Sequence, residues 1–180
     1  VIAIKSGIKR KKNRTDIYTD IEVSIMNKTS RVAGVVGKNA IIPRVVRDLA
    51  TSSDLILDFG ACKTARHARE LISEGFRVVA YDIGSNFDPE LHDYNALNRK
   101  YTIVYASNVL NVQPSPAHVI SLVDLWASLL GRNGILVVNY PISPRYSSLG
   151  LRDIENILES KFNLVYKDRR FSSPVFICSK

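Results

Sequence analysis

The chain has 180 residues, 46% hydrophobic and 23% charged, which suits one globular domain with a sizeable core and excludes disorder by composition. No apolar run is long enough to span a bilayer. The two cysteines, Cys62 and Cys178, form no CxxC pair, which argues against a disulfide scaffold or a structural zinc site and fits a reducing cytoplasm.

The net charge of +8 is unevenly placed: residues 1 to 47 hold 11 Lys/Arg against 3 Asp/Glu, and residues 48 to 180 hold 14 of each. The first four residues are apolar and precede a basic run, the reverse of a signal peptide, so none is expected. The missing initiator Met suggests a trimmed or partial chain. Residues 1 to 15 read as a mobile basic arm, densest at Lys9, Arg10, Lys11 and Lys12, with Arg14 beyond. Such a run is either a solvated tail or a phosphate-binding arm for nucleic acid. Asp16 to Met26 alternate roughly, so a strand or an irregular segment is expected. Residues 27 to 40 carry Gly34 and Gly37 and read as a loop. Ile41 to Ala50 suit a short helix, with Pro43 in its first turn.

From Leu55 the pattern is regular. Leu55-Ile56-Leu57 reads as a buried parallel strand. A helix over 64–74 follows, with Thr64 as its cap and Gly75 as its stop. Strands are expected at Phe76 to Tyr81 and Tyr101 to Ala106. A helix over 116–130 starts on Ser115 and Pro116, and a strand at Ile135 to Val138 follows it. A helix over 149–160 and strands over 163–169 and 174–178 complete the chain. Strands alternating with helices predict an α/β fold, a mostly parallel sheet covered on both faces. The last two strands have no helix between them and should pair antiparallel.

The segment Leu57-Asp58-Phe59-Gly60-Ala61-Cys62-Lys63-Thr64 joins the first strand to its helix, at the edge where open α/β sheets bind ligands. Asp82 ends the next strand, 22 residues past Gly60, a spacing at which a carboxylate can meet ribose hydroxyls. A plain glycine turn is the simpler alternative, but a charged residue closing an apolar strand needs a partner.

Over roughly residues 38 to 180 the chain resembles the class I S-adenosylmethionine-dependent methyltransferases. Asp58-x-Gly60 matches the start of that family's Asp/Glu-x-Gly-x-Gly-x-Gly turn, with Cys62 and Thr64 in place of the later glycines. Asp82 matches the ribose-binding acid. Tyr101 to Val112 is similar to the fourth-strand motif, and Leu129 to Val138 to the helix–turn–strand after it. The resemblance implies a Rossmann-like domain at 38–180, preceded by a basic arm and lead-in at 1–37. It implies S-adenosylmethionine as cofactor, held by Asp58, Gly60, Ala61, Lys63, Thr64, Asp82, Ile83 and Asn108. The interval from Asp82 to Tyr101 is short, so the usual third strand should be rudimentary or lost, with Asp93 to Leu97 supplying adenine-side contacts. Asn108-Val109-Leu110-Asn111-Val112 is similar to methyltransferase-like proteins of phages and bacterial DNA-modification loci.

Methyl transfer from a sulfonium is an in-line displacement that needs mainly alignment and the handling of one proton. Cytosine C5 chemistry needs a Pro-Cys nucleophile at the fourth strand, and neither cysteine sits there. Amino-group methylation resembles sites with Asp/Asn/Ser-Pro-Pro-aromatic at that strand; here Ser107-Asn108-Val109-Leu110 lacks the prolines. Asn139-Tyr140-Pro141-Ile142, after the fifth strand, is a partial look-alike in which Tyr140 could stack on a flipped base. Asn108, Asn139 and Tyr140 are therefore the candidate catalytic residues, against the plainer readings of turn capping and an ordinary strand exit. His67 reads as a surface residue and Cys62 as packing. His92 and His118 form no cluster for metal.

The leading expectation is a small methyltransferase acting on nucleic acid, DNA ahead of RNA, in a bacterial or phage-infected cytoplasm. The arm Lys9, Arg10, Lys11, Lys12 and Arg14 would contact phosphates. With no room for a target-recognition domain, recognition must be short or loose, or depend on a homodimer. The alternatives are a small-molecule or protein methyltransferase, and a binding module of the same fold without turnover.

Overall fold

The computed structural model describes residues 17–33 and 40–180. Eleven regular elements follow one another: α1 (Asp20–Ala33), α2 (Ile41–Leu49), β1 (Leu55–Phe59), α3 (Arg66–Ser73), β2 (Arg77–Tyr81), β3 (Tyr101–Ala106), α4 (Pro116–Leu129), β4 (Leu130–Asn139), α5 (Leu151–Glu159), β5 (Leu164–Asp168) and β6 (Val175–Ser179). The strands form one sheet in the order β2-β1-β3-β4-β6-β5. β1 to β4 run parallel, and β6 runs antiparallel to both β4 and β5. The mostly parallel sheet and its antiparallel ending are as the sequence pattern predicts.

The sheet is buried on both faces because the middle of each central strand is mostly apolar on both sides. Alternate residues feed two layers. Leu57, Val104, Leu136 and Val138 face a core shared with Trp126 of α4 and Leu158 of α5. Ile56, Ile103 and Val137 face a second core shared with Val45 and Val46 of α2 and Leu71 of α3. α2 and α3 therefore cover one face, and α4 and α5 the other. Ser115 caps α4 as expected, accepting from the His118 N–H at 3.4 Å.

Three sequence expectations are corrected. The stretch 16–26 is neither strand nor irregular, and 27–33 is not loop: both lie in α1, apart from the lead-in before Asp20. Thr19 and Glu22 form a reciprocal cap, the Thr19 N–H donating to Glu22 Oε2 at 2.8 Å and the Glu22 N–H to Thr19 Oγ1 at 3.3 Å. α3 starts two residues later than expected. Ala65, in the left-handed conformation at φ 43°, stands at its N-cap, and Thr64 does not cap it. As expected, the usual third strand is lost: between β2 and β3 the chain makes two 3₁₀ turns, Gly84–Asn86 and Ala96–Asn98. The arm Lys9 to Arg14, and the glycines at 34 and 37, lie outside the described residues.

α1 packs over the carboxyl ends of the strands. Asn27 Nδ2 donates to the Ile83 carbonyl and to Ser85 Oγ, both at 3.2 Å. The approach is close because residue 84 has no side chain: a Cβ on Gly84 would collide with Val23 Cγ1 and stand 2.6 Å from Asn27 Nδ2. Gly84 also has φ +59°. Gly84→Ala should therefore loosen α1 and cost roughly 1–3 kcal/mol. Urea unfolding would measure the loss, and faster amide exchange in α1 than in β1 would localise it.

Candidate functional site

The order of the strands reverses between β1 and β3, so the loops after them part and leave a crevice at the carboxyl edge. A cleft of about 720 Å³, open mouth included, lies there. Its floor is the turn after β1, Phe59, Gly60 and Cys62. One wall is the end of β2, Tyr81, Asp82, Ile83 and Asn86. The other is the segment after β3, Ser107 to Val109 with Gln113. α1 closes it from above through Met26, Asn27 and Ser30, with Tyr18 just before the helix.

The glycine turn is held by β2. The Gly60 and Ala61 N–H groups both donate to the Tyr81 carbonyl, at 2.9 and 3.1 Å. The Cys62 N–H donates to Asp82 Oδ2 and the Ile83 N–H to Asp82 Oδ1, each at 2.7 Å. His92, buried, spans from Cys62 to the next turn. Its Nε2 lies 3.0 Å from the Cys62 carbonyl, and its Nδ1 accepts from the Asp88 N–H at 3.0 Å. Gly60 has φ +79°, and a Cβ there would stand 2.6 Å from Val109 Cγ2. Cys62 takes φ 58° without being glycine, at a cost of about 1–2 kcal/mol that its bonded neighbours offset.

Asp82 sits at the cleft wall, 7% exposed. Burial pushes its carboxyl above the ordinary range, against the Ile83 and Cys62 N–H groups that draw it down. Each oxygen has one backbone donor and the Asn86 side chain also bonds the carboxylate, which still leaves a lone-pair site for a ligand hydroxyl. Asp58 lies deeper. It pairs in register with Tyr105 on the face beneath α3, 2% exposed. Its Oδ2 and the Tyr105 hydroxyl make no well-formed hydrogen bond among the described residues, but the two groups lie close enough to interact. Burial pushes Asp58 up to about 7; the Tyr105 hydroxyl and the Ala68 N–H oppose the rise, and the Asp82 charge adds to it. Ala68 is in the first turn of α3, so Asp58 supplies from β1 the anion that this helix end otherwise lacks. Burial, then Asp82 and Asp58, push the Cys62 thiol up to about 11, which makes it a poor nucleophile at neutral pH.

On the opposite wall the Asn108 N–H donates to Asn139 Oδ1 at 2.7 Å, and Asn139 Nδ2 donates to Asn108 Oδ1 at 2.8 Å. This pair clamps the ends of β3 and β4 and holds Asn108 at φ 56°. Asn108 lines the cleft; Asn139 stands behind it, buried.

Of the residues expected to hold a cofactor, Gly60, Asp82, Ile83 and Asn108 line the cleft. Asp58 lies behind the turn. Ala61 packs with Ala65, Ala68 and Ala80. Lys63 and Thr64 are exposed and do not line the cleft. Nor do Asp93 to Leu97: Asp93 pairs with Arg99 at 2.6 Å, and Ala96 and Leu97 are core. Tyr140 is also corrected. It is 0% exposed, its ring belongs to the core and its hydroxyl donates to the Leu149 carbonyl at 2.7 Å, so no base can stack on it here. Sequence reasoning missed Tyr18, Met26, Asn27, Asn86, Gln113 and the brace His92. The cue for the first three was Thr19-x-x-Glu22, a helix-start signature. Among the described residues no group of His, Cys, Asp and Glu could hold a metal ion, and no helix is long and apolar enough to cross a membrane.

Asp58 carries a pH signature. Its carboxyl titrates near 7 folded and near 3.8 unfolded, so the native state binds more protons between those values and stability falls as pH rises from about 4 to 7. Asp58→Asn should remove that slope and raise stability at pH 8 by on the order of 3 kcal/mol. Urea midpoints at pH 5 and 8 for both proteins would test it; parallel pH profiles would contradict it.

No protein-family model matches the sequence, and no curated protein matches it. Solved structures do. A TehB-like SAM-dependent methyltransferase from Corynebacterium glutamicum superposes with a TM-score of 0.61 at 15% identity, over 89% of this chain and 98% of that one. Magnesium protoporphyrin IX methyltransferase from Synechocystis PCC 6803, with bound SAM, gives a TM-score of 0.58 at 17% identity, over 93% and 92%. A 16S rRNA methyltransferase from T. thermophilus, in complex with AdoMet and guanosine, gives 0.53 at 16% identity, over 82% of this chain and 45% of that one. The chain has the Rossmann-like fold of the class I SAM-dependent methyltransferases.

Proposed function

We propose that the protein is an S-adenosylmethionine-dependent methyltransferase. The observation that carries this reading is the cleft at the β1–β3 switch point, with the Gly60 turn in its floor and Asp82 at its wall. The Asp82 carboxylate at the wall suits a cationic ligand. Asp82 would take the ribose hydroxyls, Ile83 and Asn86 would flank the base, and the methionine end would lie over the Gly60 turn. When bound, the cofactor supplies a methyl group on a sulfonium. Asn108 faces the acceptor side and would accept from an acceptor N–H, while Asn139 acts through it as a positioning residue. Covering by α1 would keep water from the reacting atoms.

We take the acceptor to be nucleic acid, with a DNA base the first candidate. The support is the concentration of positive charge in residues 1 to 47. One observation favours a second reading: α1 roofs the cleft, which would suit a small acceptor enclosed beneath it.

Calorimetric titration with S-adenosylmethionine and its demethylated product tests the first step; no binding of either would sink the enzyme reading. Asp82→Asn keeps one acceptor for the backbone and loses the other, so it should weaken that binding tenfold or more and lower the unfolding midpoint by the equivalent of about 1–3 kcal/mol. Incubation with labelled cofactor and a mixture of DNA, RNA, protein and small metabolites then identifies the acceptor. Deleting residues 1 to 15 should lower nucleic-acid affinity and flatten its salt dependence, and should leave a small-molecule activity intact.

A further inference from the structure

The loop 141–149 leaves β4 directly after Asn139 and Tyr140, at the same edge as the cleft. Both its ends are fixed. Asn139 is clamped to Asn108, and the buried Tyr140 hydroxyl reaches across the loop to the Leu149 carbonyl at 2.7 Å. The Leu149 N–H donates to Ser147 Oγ at 3.2 Å, which tightens the returning limb. Held this way, the loop presents Ile142, Arg145 and Tyr146 to solvent. Ile142 is 66% exposed and Tyr146 54%.

The next connection at that edge, 169–174, lies between β5 and β6. Phe171 there packs on the α2 side of the sheet. Arg170 and Arg44 both lie over its ring, at 5.5 and 5.9 Å from its centre. Arg170 is neutralised by Asp168 at 2.5 Å, but no carboxylate lies in ion-pair range of Arg44, Arg145 or Arg169 among the described residues. Three cations and an exposed tyrosine thus stand on one edge of the sheet, beyond the clamp that bounds the cleft.

We infer that the 141–149 loop, with Arg44 and Arg169, is a docking surface for single-stranded nucleic acid, in which Tyr146 stacks on an unpaired base and the arginines hold phosphates. This rests on the nucleic-acid reading of the acceptor and deepens it. An exposed aromatic beside cations is the combination that binds single strands without needing their sequence. A duplex keeps its bases stacked, so Tyr146 has nothing to gain from it. The anchoring through Tyr140 matters because a loop ordered beforehand loses less entropy on binding.

The test is fluorescence anisotropy of the full chain with labelled 20-nucleotide single-stranded DNA and RNA and with duplex DNA, across a salt series. Tyr146→Ala should raise Kd for single strands about tenfold and leave the slope of log Kd against log salt unchanged. Tyr146→Phe, which keeps the ring, should stay within about twofold of the parent. Arg145→Ala should weaken binding and flatten the slope by about 0.7. Calorimetry with the demethylated cofactor should give the parental affinity in all three. Parental single-strand affinity in Tyr146→Ala, or tighter binding of duplex than of single strands, would overturn the docking surface and leave the nucleic-acid reading standing. If the parent binds no oligonucleotide while still binding the cofactor product, both fall together.

Discussion

The site depends on one carboxylate. Asp82 takes the Cys62 N–H with one oxygen and the Ile83 N–H with the other, and so fixes the turn after β1 to the exit of β2. The Tyr81 carbonyl takes the two preceding N–H groups, and His92 meets the Cys62 carbonyl from the far side. A turn tied at three consecutive residues, the last at both its N–H and its carbonyl, does not rely on glycine at each special dihedral. That is the physical reason Cys62 can occupy φ 58° where a glycine is usual in the family it resembles. His92 belongs to the short segment between β2 and β3. The chain that dispenses with a strand there uses the same residues to brace the turn after β1.

The same carboxylate has an electrostatic consequence. Asp82 lies close enough to Asp58 to raise the cost of charging it. A cation settling against Asp82 would offset that cost. The acidic wall of the cleft and the outer arginines Arg44, Arg145 and Arg169 separate the two signs by depth, with the Asn108–Asn139 clamp between them. A small cation would be favoured inside and a polyanion outside.

Much of the architecture was legible because buried parallel strands read as short apolar runs. Leu55 to Leu57, Tyr101 to Ala106 and Ile135 to Val138 all fall inside strands. α1 was not, and the cause is specific. Ile21 and Ile25 are exposed, at 73% and 57%, while Met26 and Asn27 are buried over the cleft. The apolar residues therefore do not mark the buried face, and Ile17, Ile21, Val23 and Ile25 mimic the alternation of a strand. The cap at Thr19 and Glu22 was the better signal, because it reports backbone donors and not burial. For the site, Gly60 and Asp82 were readable from spacing along one βαβ unit. The Asn108–Asn139 clamp joins residues 31 apart on neighbouring strands, and no local pattern announces it. Tyr140 misled for a related reason: one residue past a strand, the chain alone does not say whether a ring turns to the core or to the cleft.

That last ambiguity bears on how an acceptor reaches the site. With Tyr140 in the core, the aromatic available at this edge is six residues further on, at Tyr146. Tyr140 instead fixes the loop that carries it. On the other side, α1 is attached to the cleft walls by apolar and polar contacts together. Val23 packs on Gly84 and Met26 is buried over the cleft, Tyr18 donates to Gln113 at 2.5 Å and stacks on His118, and Asn27 holds Ile83 and Ser85. Both borders of the cleft are thus anchored through side chains from elements distant in sequence, one to the turn after β2 and the other to the return of the 141–149 loop.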